Sequence, residues 1–276
     1  MSPSAGFDCH GTEAFTEDGY KRLLETALGR YRFEPFGTTT TTPHILMRHD
    51  IDFSVQRAVA LARIEAAFHI QTTYCVLLHT PFYNVLEPKT QDALAELVSL
   101  GHHIGLHFDC ALTSNALNTL ADLEAPLTRE HTLLSLLVNT PIRVVSFHNP
   151  DVGDVMNRFE QDYLAGLINT YSRTLKEGYT YCSDSNGYWR HANMFEVVAG
   201  RQGEPPDHKP LHLLTHPGWW VPDGEAADPR QRIERCIQGR ARYTADYYDG
   251  LMVENQRLNL GAPQDKPQCQ PQGQHG

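Results

Sequence analysis

The sequence lacks any close pair of cysteines. Its six, Cys9, Cys75, Cys110, Cys182, Cys236 and Cys269, form neither a zinc knuckle nor a CxxC, which excludes a cysteine zinc ribbon and a redox dithiol motif. Three of them follow or sit inside expected strands, where a free thiol behaves as a small apolar group. Six reduced thiols point to a cytoplasmic protein. No stretch approaches 18 apolar residues, so no membrane span is expected. The opening MSPSAGFDCHGTEAF has no basic region and no apolar stretch, and no signal peptide is expected from it. Lys and Arg form no run, and the formal net charge is -10. A nucleic-acid partner is therefore not expected. No glycine loop of the phosphate-cradling kind is present, which argues against a nucleotidyl or glycosyl transferase.

What remains is a chain of 276 residues, 41% hydrophobic, with 17 Pro and 20 Gly. That suits one large α/β domain with many turns. Residues 1–15 read as a flexible start. Residues 261–276, GAPQDKPQCQPQGQHG, have almost nothing to bury and read as a disordered tail. Between them, residues 16–260 show no repeat and no linker. Short apolar runs alternate with amphipathic segments. Strands are expected at residues 44–47, 72–78, 104–106, 142–147, 180–182 and 211–214. Helices are expected after the cap at Ser54, at 91–100, as a pair within 114–138, at 156–175 on the stripe Phe159, Tyr163, Leu167 and Tyr171, and from 229 to about 243. Strands alternating with helices imply a parallel sheet with helices outside. Such folds collect their chemistry at the C-terminal strand ends.

There are 15 His, and several stand beside Asp at such ends, where a metal is the first thing to look for. The first strand ends in RHDID, Arg48 to Asp52. Asp50 and Asp52, two apart, share one side of an extended backbone, and two such carboxylates repel unless a cation lies by them. Taken alone, the pair is equally a turn or a helix cap. The third strand carries GHHIGLHFD, with His107 at its end. His103 is four residues earlier, about 13 Å along a strand, too far to share an ion. The fourth ends in SFHNP with His148, and a later one in LLTHPGWW with His216. The segment SDSNGYWR offers Asp184, Asn186 and Arg190. Of the adjacent Trp219 and Trp220, one is expected to pack inward and one to line a pocket, where an aromatic face suits a sugar ring.

These motifs, in this order over residues 46–220, resemble the polysaccharide deacetylase family, also called NodB-homology or carbohydrate esterase family 4. The resemblance implies an α/β fold built as a distorted (β/α)7 barrel. It also implies one divalent metal ion, usually Zn2+, with Ni2+, Co2+ or Fe2+ also accommodated, and removal of N-acetyl or related acyl groups from amino sugars. By the same resemblance Asp50 is the base, Asp52 and His107 are metal ligands, His216 is the general acid, and Asp184 orients a catalytic neighbour. The chain departs from the pattern twice. Ala111 stands where a second histidine ligand belongs, and His148 stands where an Arg precedes Pro. His148 is accordingly read as the third ligand, with Asp109 as the fallback. Asn186, Arg190, Trp219 and Trp220 are read as substrate contacts. The expected substrate is a small amino sugar or sugar nucleotide. The competing readings are a sugar-binding protein without catalysis on the same barrel and a metal hydrolase of a non-sugar amide.

Overall fold

The computed structural model describes residues 15–112, 117–189, 192–200, 209–225 and 228–261. The chain divides into two units, residues 1–233 and 234–276. The first unit opens with α1 (Glu17–Leu28), capped by the Thr16 side chain, which accepts from the Gly19 amide. Then come β1 (Arg32–Glu34), β2 (His44–Ile51), α2 (Val55–Ala67), β3 (Thr73–Leu77), α3 (Pro88–Ser99), β4 (His103–Asp109), α4 (Leu120–Val138) and β5 (Val144–His148). A short α5 (Val155–Arg158) precedes the strands β6 (Tyr163–Leu164) and β7 (Leu167–Asn169). After them come α6 (Arg173–Gly178), β8 (Thr180–Ser183), α7 (Met194–Ala199) and β9 (Leu211–Thr215). Helix α8 (Pro229–Glu254) begins in the first unit and makes up most of the described second unit.

The strands form one sheet in the order β6-β7-β5-β4-β3-β2-β9-β8, with β1 on the lower half of β2. Every pairing is parallel except β6 with β7. The result is the expected α/β class, a curled sheet flanked by helices that stays open between its edge strands. The main core fills the space between sheet and helices. Val55, Ala58 and Ala62 of α2, Leu94 and Leu97 of α3, and Leu123, Leu127 and Leu134 of α4 meet Val76, Leu106 and Val145 there.

Four segments depart from the sequence expectation. Strand β2 runs through RHDI rather than stopping at Met47, because Arg48 to Ile51 continue the ladder against Thr73 to Val76 of β3. All eight of its residues are buried. Residues 156–175 are not one helix. A four-residue spacing of apolar side chains satisfies both the helical period and the strand period of two, and local turn chemistry decides. Ala165 (φ 50°) and Gly166 (φ 78°) both take the left-handed conformation of a two-residue hairpin loop. The Asn169 side chain then donates to the carbonyls of Phe159 and Gln161, holding the hairpin down. Among the described residues, 114–138 contains one helix in place of two, and the last helix extends to Glu254. Cys75, Cys110 and Cys182 are buried free thiols. Cys9 and Cys269 lie outside the described residues.

Candidate metal centre

The period of two along β2 turns Arg48, Asp50 and Asp52 to the concave side of the sheet and His49 to the helix side. The neighbouring strands add to the concave side by register. His107 of β4 lies opposite Leu77 of β3 and opposite Ser146 of β5, and His148 lies opposite Asp109. The outcome is a group of three ligand-type side chains, Asp52, His107 and His148, whose donor atoms all lie within 4.8 Å of one another. The Asp52 Oδ1 to His107 Nε2 distance is 3.1 Å, and Asp52 Oδ1 to His148 Nδ1 is 3.6 Å. A tetrahedral ion with bonds of about 2.0–2.1 Å separates its ligand atoms by about 3.3 Å. One carboxylate and two imidazoles at these spacings therefore fit a divalent ion. Asp52 and His148 keep part of their surface open, 20% and 29%, so the cluster faces the mouth and is not sealed in the core.

Beneath the cluster, Asp50 is buried. Its Oδ1 accepts the Ser146 hydroxyl at 2.9 Å, and the Arg48 Nε lies 3.4 Å away. Arg48 itself reaches His212 Nε2 and the Tyr171 hydroxyl, both at 3.0 Å. Burial opposes ionisation of Asp50, but His107, Arg48 and His216 around it hold the carboxyl down at about 2. Asp52 is also lowered, against its desolvation, by His216, His107 and His148.

On the opposite flank, His216 follows β9 and Asp184 follows β8. The Asp184 carboxylate is fully buried and accepts from the His216 amide at 2.9 Å and lies 2.7 Å from His216 Nδ1. Its other oxygen accepts the Trp220 indole N–H at 2.9 Å. This fixes the His216 ring with Nε2 directed toward Asp52, 3.9 Å from Oδ2. Burial disfavours the charged ring, yet the carboxylates of Asp52 and Asp184 push it up to about 9. The turn Pro217–Trp219 is tight: a Cβ on Gly218 would sit 1.9 Å from the Phe53 ring. Phe53 in turn meets Trp219 edge-on at 4.7 Å.

The structure thus gathers Asp50, Asp52, His107, His148, Asp184 and His216 around one mouth. His103 sits exposed at the start of β4, at the far end from His107. Asp109 does not join the ligands. Its Oδ1 accepts from the Ala111 amide at 2.9 Å and lies 3.4 Å from the Asn149 amide nitrogen, so it braces the turn after β4. Trp220 is fully buried against Asp184 and offers no face to a ligand, which corrects its reading as a substrate contact. Trp219 is 8% exposed. Asn186 is exposed in a left-handed turn (φ 65°). Arg190 lies outside the described residues. Two members of the site went unnoticed in the sequence, Arg48 and Ser146. Both stand two residues before a recognised one, Asp50 and His148, and strand alternation alone would have placed them on the same face.

No family model matches the chain, and no curated protein matches it. Solved structures of similar course exist. The catalytic domain of a peptidoglycan N-acetylglucosamine deacetylase from Eubacterium rectale is 15% identical over 76% of this chain and 91% of its own, with a TM-score of 0.44. A CE4 esterase from Streptococcus mutans is 13% identical over 74% and 82%, with a TM-score of 0.42. A family 4 acetyl xylan esterase from Clostridium thermocellum is 11% identical over 71% and 84%, with a TM-score of 0.40. Similarity at this level carries no activity and no residue role across to this chain.

Proposed function

We propose that the chain is a divergent polysaccharide deacetylase-type enzyme, a metal-dependent hydrolase that removes an acetyl, formyl or similar group from the nitrogen of an amino sugar or sugar-nucleotide precursor. The observation that carries this reading is the convergence of two kinds of group at one mouth. Asp52, His107 and His148 form a ligand set, and a carboxylate and an oriented imidazole, Asp50 and His216, flank it. Pure binding needs neither a base nor an acid.

Asp52, His107 and His148 would hold one divalent ion, with Zn2+ the first candidate and Ni2+, Co2+ or Fe2+ compatible with the same donors. Such an ion supplies polarisation of the acyl carbonyl and a bound water of lowered pKa. Asp50, kept ionised by its neighbours, is the group that accepts the proton from the attacking water. His216, held by Asp184 and charged below about pH 9, delivers a proton from Nε2 to the departing nitrogen. An amine cannot leave without that proton. The Phe53–Trp219 wall and Asn186 lie on the segments that follow Asp52, His216 and Asp184, and with Arg190 they are the proposed substrate contacts. No described helix is long and apolar enough to cross a membrane. A small precursor met in the cytoplasm is the proposed substrate.

The test is metal content per chain in protein purified without a metal-binding tag, followed by a panel of acyl-amino sugars set against simple formamides. About one divalent ion per chain and turnover confined to the sugars is the expected result. Turnover of the formamides alone would move the assignment to a non-sugar amidohydrolase. Absence of metal after incubation with Zn2+, Ni2+, Co2+ and Fe2+ would remove the hydrolase reading and leave a sugar-binding protein.

A further inference from the structure

Ser146 belongs to no recognised motif position, yet its hydroxyl bridges the ligand set and the buried base, whose own direct contact, His107 Nδ1 to Asp50 Oδ2, is longer at 3.8 Å. Its Oγ lies 2.6 Å from His107 Nδ1 and 2.9 Å from Asp50 Oδ1. The residue is fully buried, so no solvent competes for either bond. The direction of each bond follows from counting protons. Asp50, lying against the Arg48 guanidinium, is a carboxylate and offers acceptors only. The single hydroxyl hydrogen of Ser146 is therefore committed to Asp50. What Oγ has left is a lone pair, and at 2.6 Å from an imidazole nitrogen that lone pair requires N–H on the other side. With an ion bound, the proton of the neutral His107 ring consequently resides on Nδ1 and Nε2 offers its lone pair to the ion; without one, the 3.1 Å contact between Nε2 and the Asp52 carboxylate is a hydrogen bond.

We propose that Ser146 is a positioning residue that fixes the His107 tautomer for metal binding through Nε2 and, by the same hydroxyl, holds one oxygen of Asp50. The inference rests on the metal-centre reading above and adds to it how the ligand is prepared. Metal-ligating imidazoles that lose the partner of their second nitrogen typically lose about 10- to 100-fold in affinity. Asp50 Oδ1 takes the Ser146 hydroxyl and is the oxygen nearest the Arg48 Nε, at 3.4 Å, so Oδ2 is the oxygen left for a proton.

The experiment compares Zn2+ affinity of the metal-free wild type, Ser146→Ala and Thr215→Val, by competition with a chelator. Thr215 is the matched control. It is a buried hydroxyl on β9, 2.6 Å from an imidazole Nδ1, that of His49 on the helix side of β2. Ser146→Ala is expected to bind Zn2+ about 10- to 100-fold more weakly. Thr215→Val is expected to melt earlier and bind Zn2+ as the wild type does. In parallel, nitrogen-15 NMR of the Zn2+-loaded wild type is expected to show His107 with Nδ1–H and a metallated Nε2, a readout that needs no variant to fold. Equal affinity of Ser146→Ala and wild type, or metallation of Nδ1, overturns the role of Ser146 and leaves the metal centre standing. Failure of the wild type to take up Zn2+ overturns the centre, and with it the role of Ser146.

Discussion

Strand β2 separates two polar networks built from the same residue types. On its helix side, His49 Nε2 lies 2.9 Å from Glu65, and Glu65 also accepts from Tyr20 at 2.5 Å, Thr72 at 2.9 Å and Tyr74 at 2.7 Å. Both oxygens have two partners, His49 and Glu65 are fully buried, and the network ends in the Ala62 carbonyl through His102. On the concave side, Arg48, Asp50, Ser146 and His107 are as deeply buried. That chain of contacts, however, does not close: it leads upward to Asp52, His148 and His216, which keep open surface at the mouth. A polar network in which every group is satisfied inside the protein rigidifies it. One that delivers unsaturated donors and ligands to a mouth is built for something that arrives from outside. Burial and residue type are alike on the two sides, and the difference is where the partners run out.

The largest effect that would break this comparison is on the closed side. Glu65→Ala leaves four donors without their shared acceptor and is expected to cost about 3–5 kcal/mol of stability. Thermal melting would show it, while Zn2+ affinity of the folded protein stays at the wild-type level. A variant that melts normally but loses metal would mean that the two networks are one.

Next comes the open side. His216→Ala is expected to lower turnover by about 10²-fold or more while keeping metal content. Unchanged turnover on an acyl-amino sugar would end its role as the acid.

The two sides also separate by pH in the metal-free protein. His216 is raised from 6.5 to about 9, so its stabilisation is complete below about pH 6.5 and is lost as pH rises through 9. Glu65 is lowered from 4.5 to about 2: burial works against the charge, but His49 and the hydroxyls hold it ionised. Its stabilisation is complete above about pH 4.5 and is lost as pH falls toward 2. Urea unfolding of wild type and His216→Ala should therefore converge above pH 9 and differ at pH 6. A constant difference across that range would contradict the assignment.

Smallest is Thr215→Val, which strands His49 Nδ1 and is expected to cost about 1–3 kcal/mol in chemical denaturation without touching turnover.

Much of the architecture was legible in the chain. The alternation of apolar runs and amphipathic segments gives the parallel sheet, and the Asp and His at strand ends mark the mouth. The hairpin at β6–β7 was not legible as such, because side chains four apart satisfy both periods and only the left-handed pair Ala165 and Gly166 selects the turn. The length of β2 was hidden for a different reason. A run of charged residues reads as a loop until the partners that neutralise it inside the sheet are known.

Sequence by itself determined which side chains share a face, since the period of two is a property of the backbone: 48 with 50 and 52, 146 with 148. It also supplied the residue types that metal and proton chemistry require. Only the tertiary structure decided who meets whom. Strand register put Ser146 beside His107 and left Asp109 to brace the turn after β4. The β8–β9 pairing brought Asp184 under His216 and sealed Trp220 behind it. The physical reason is range. Periodicity is fixed by covalent geometry within a few residues, whereas the proton on His107 and the charge on Asp50 are set by neighbours from strands tens of residues apart.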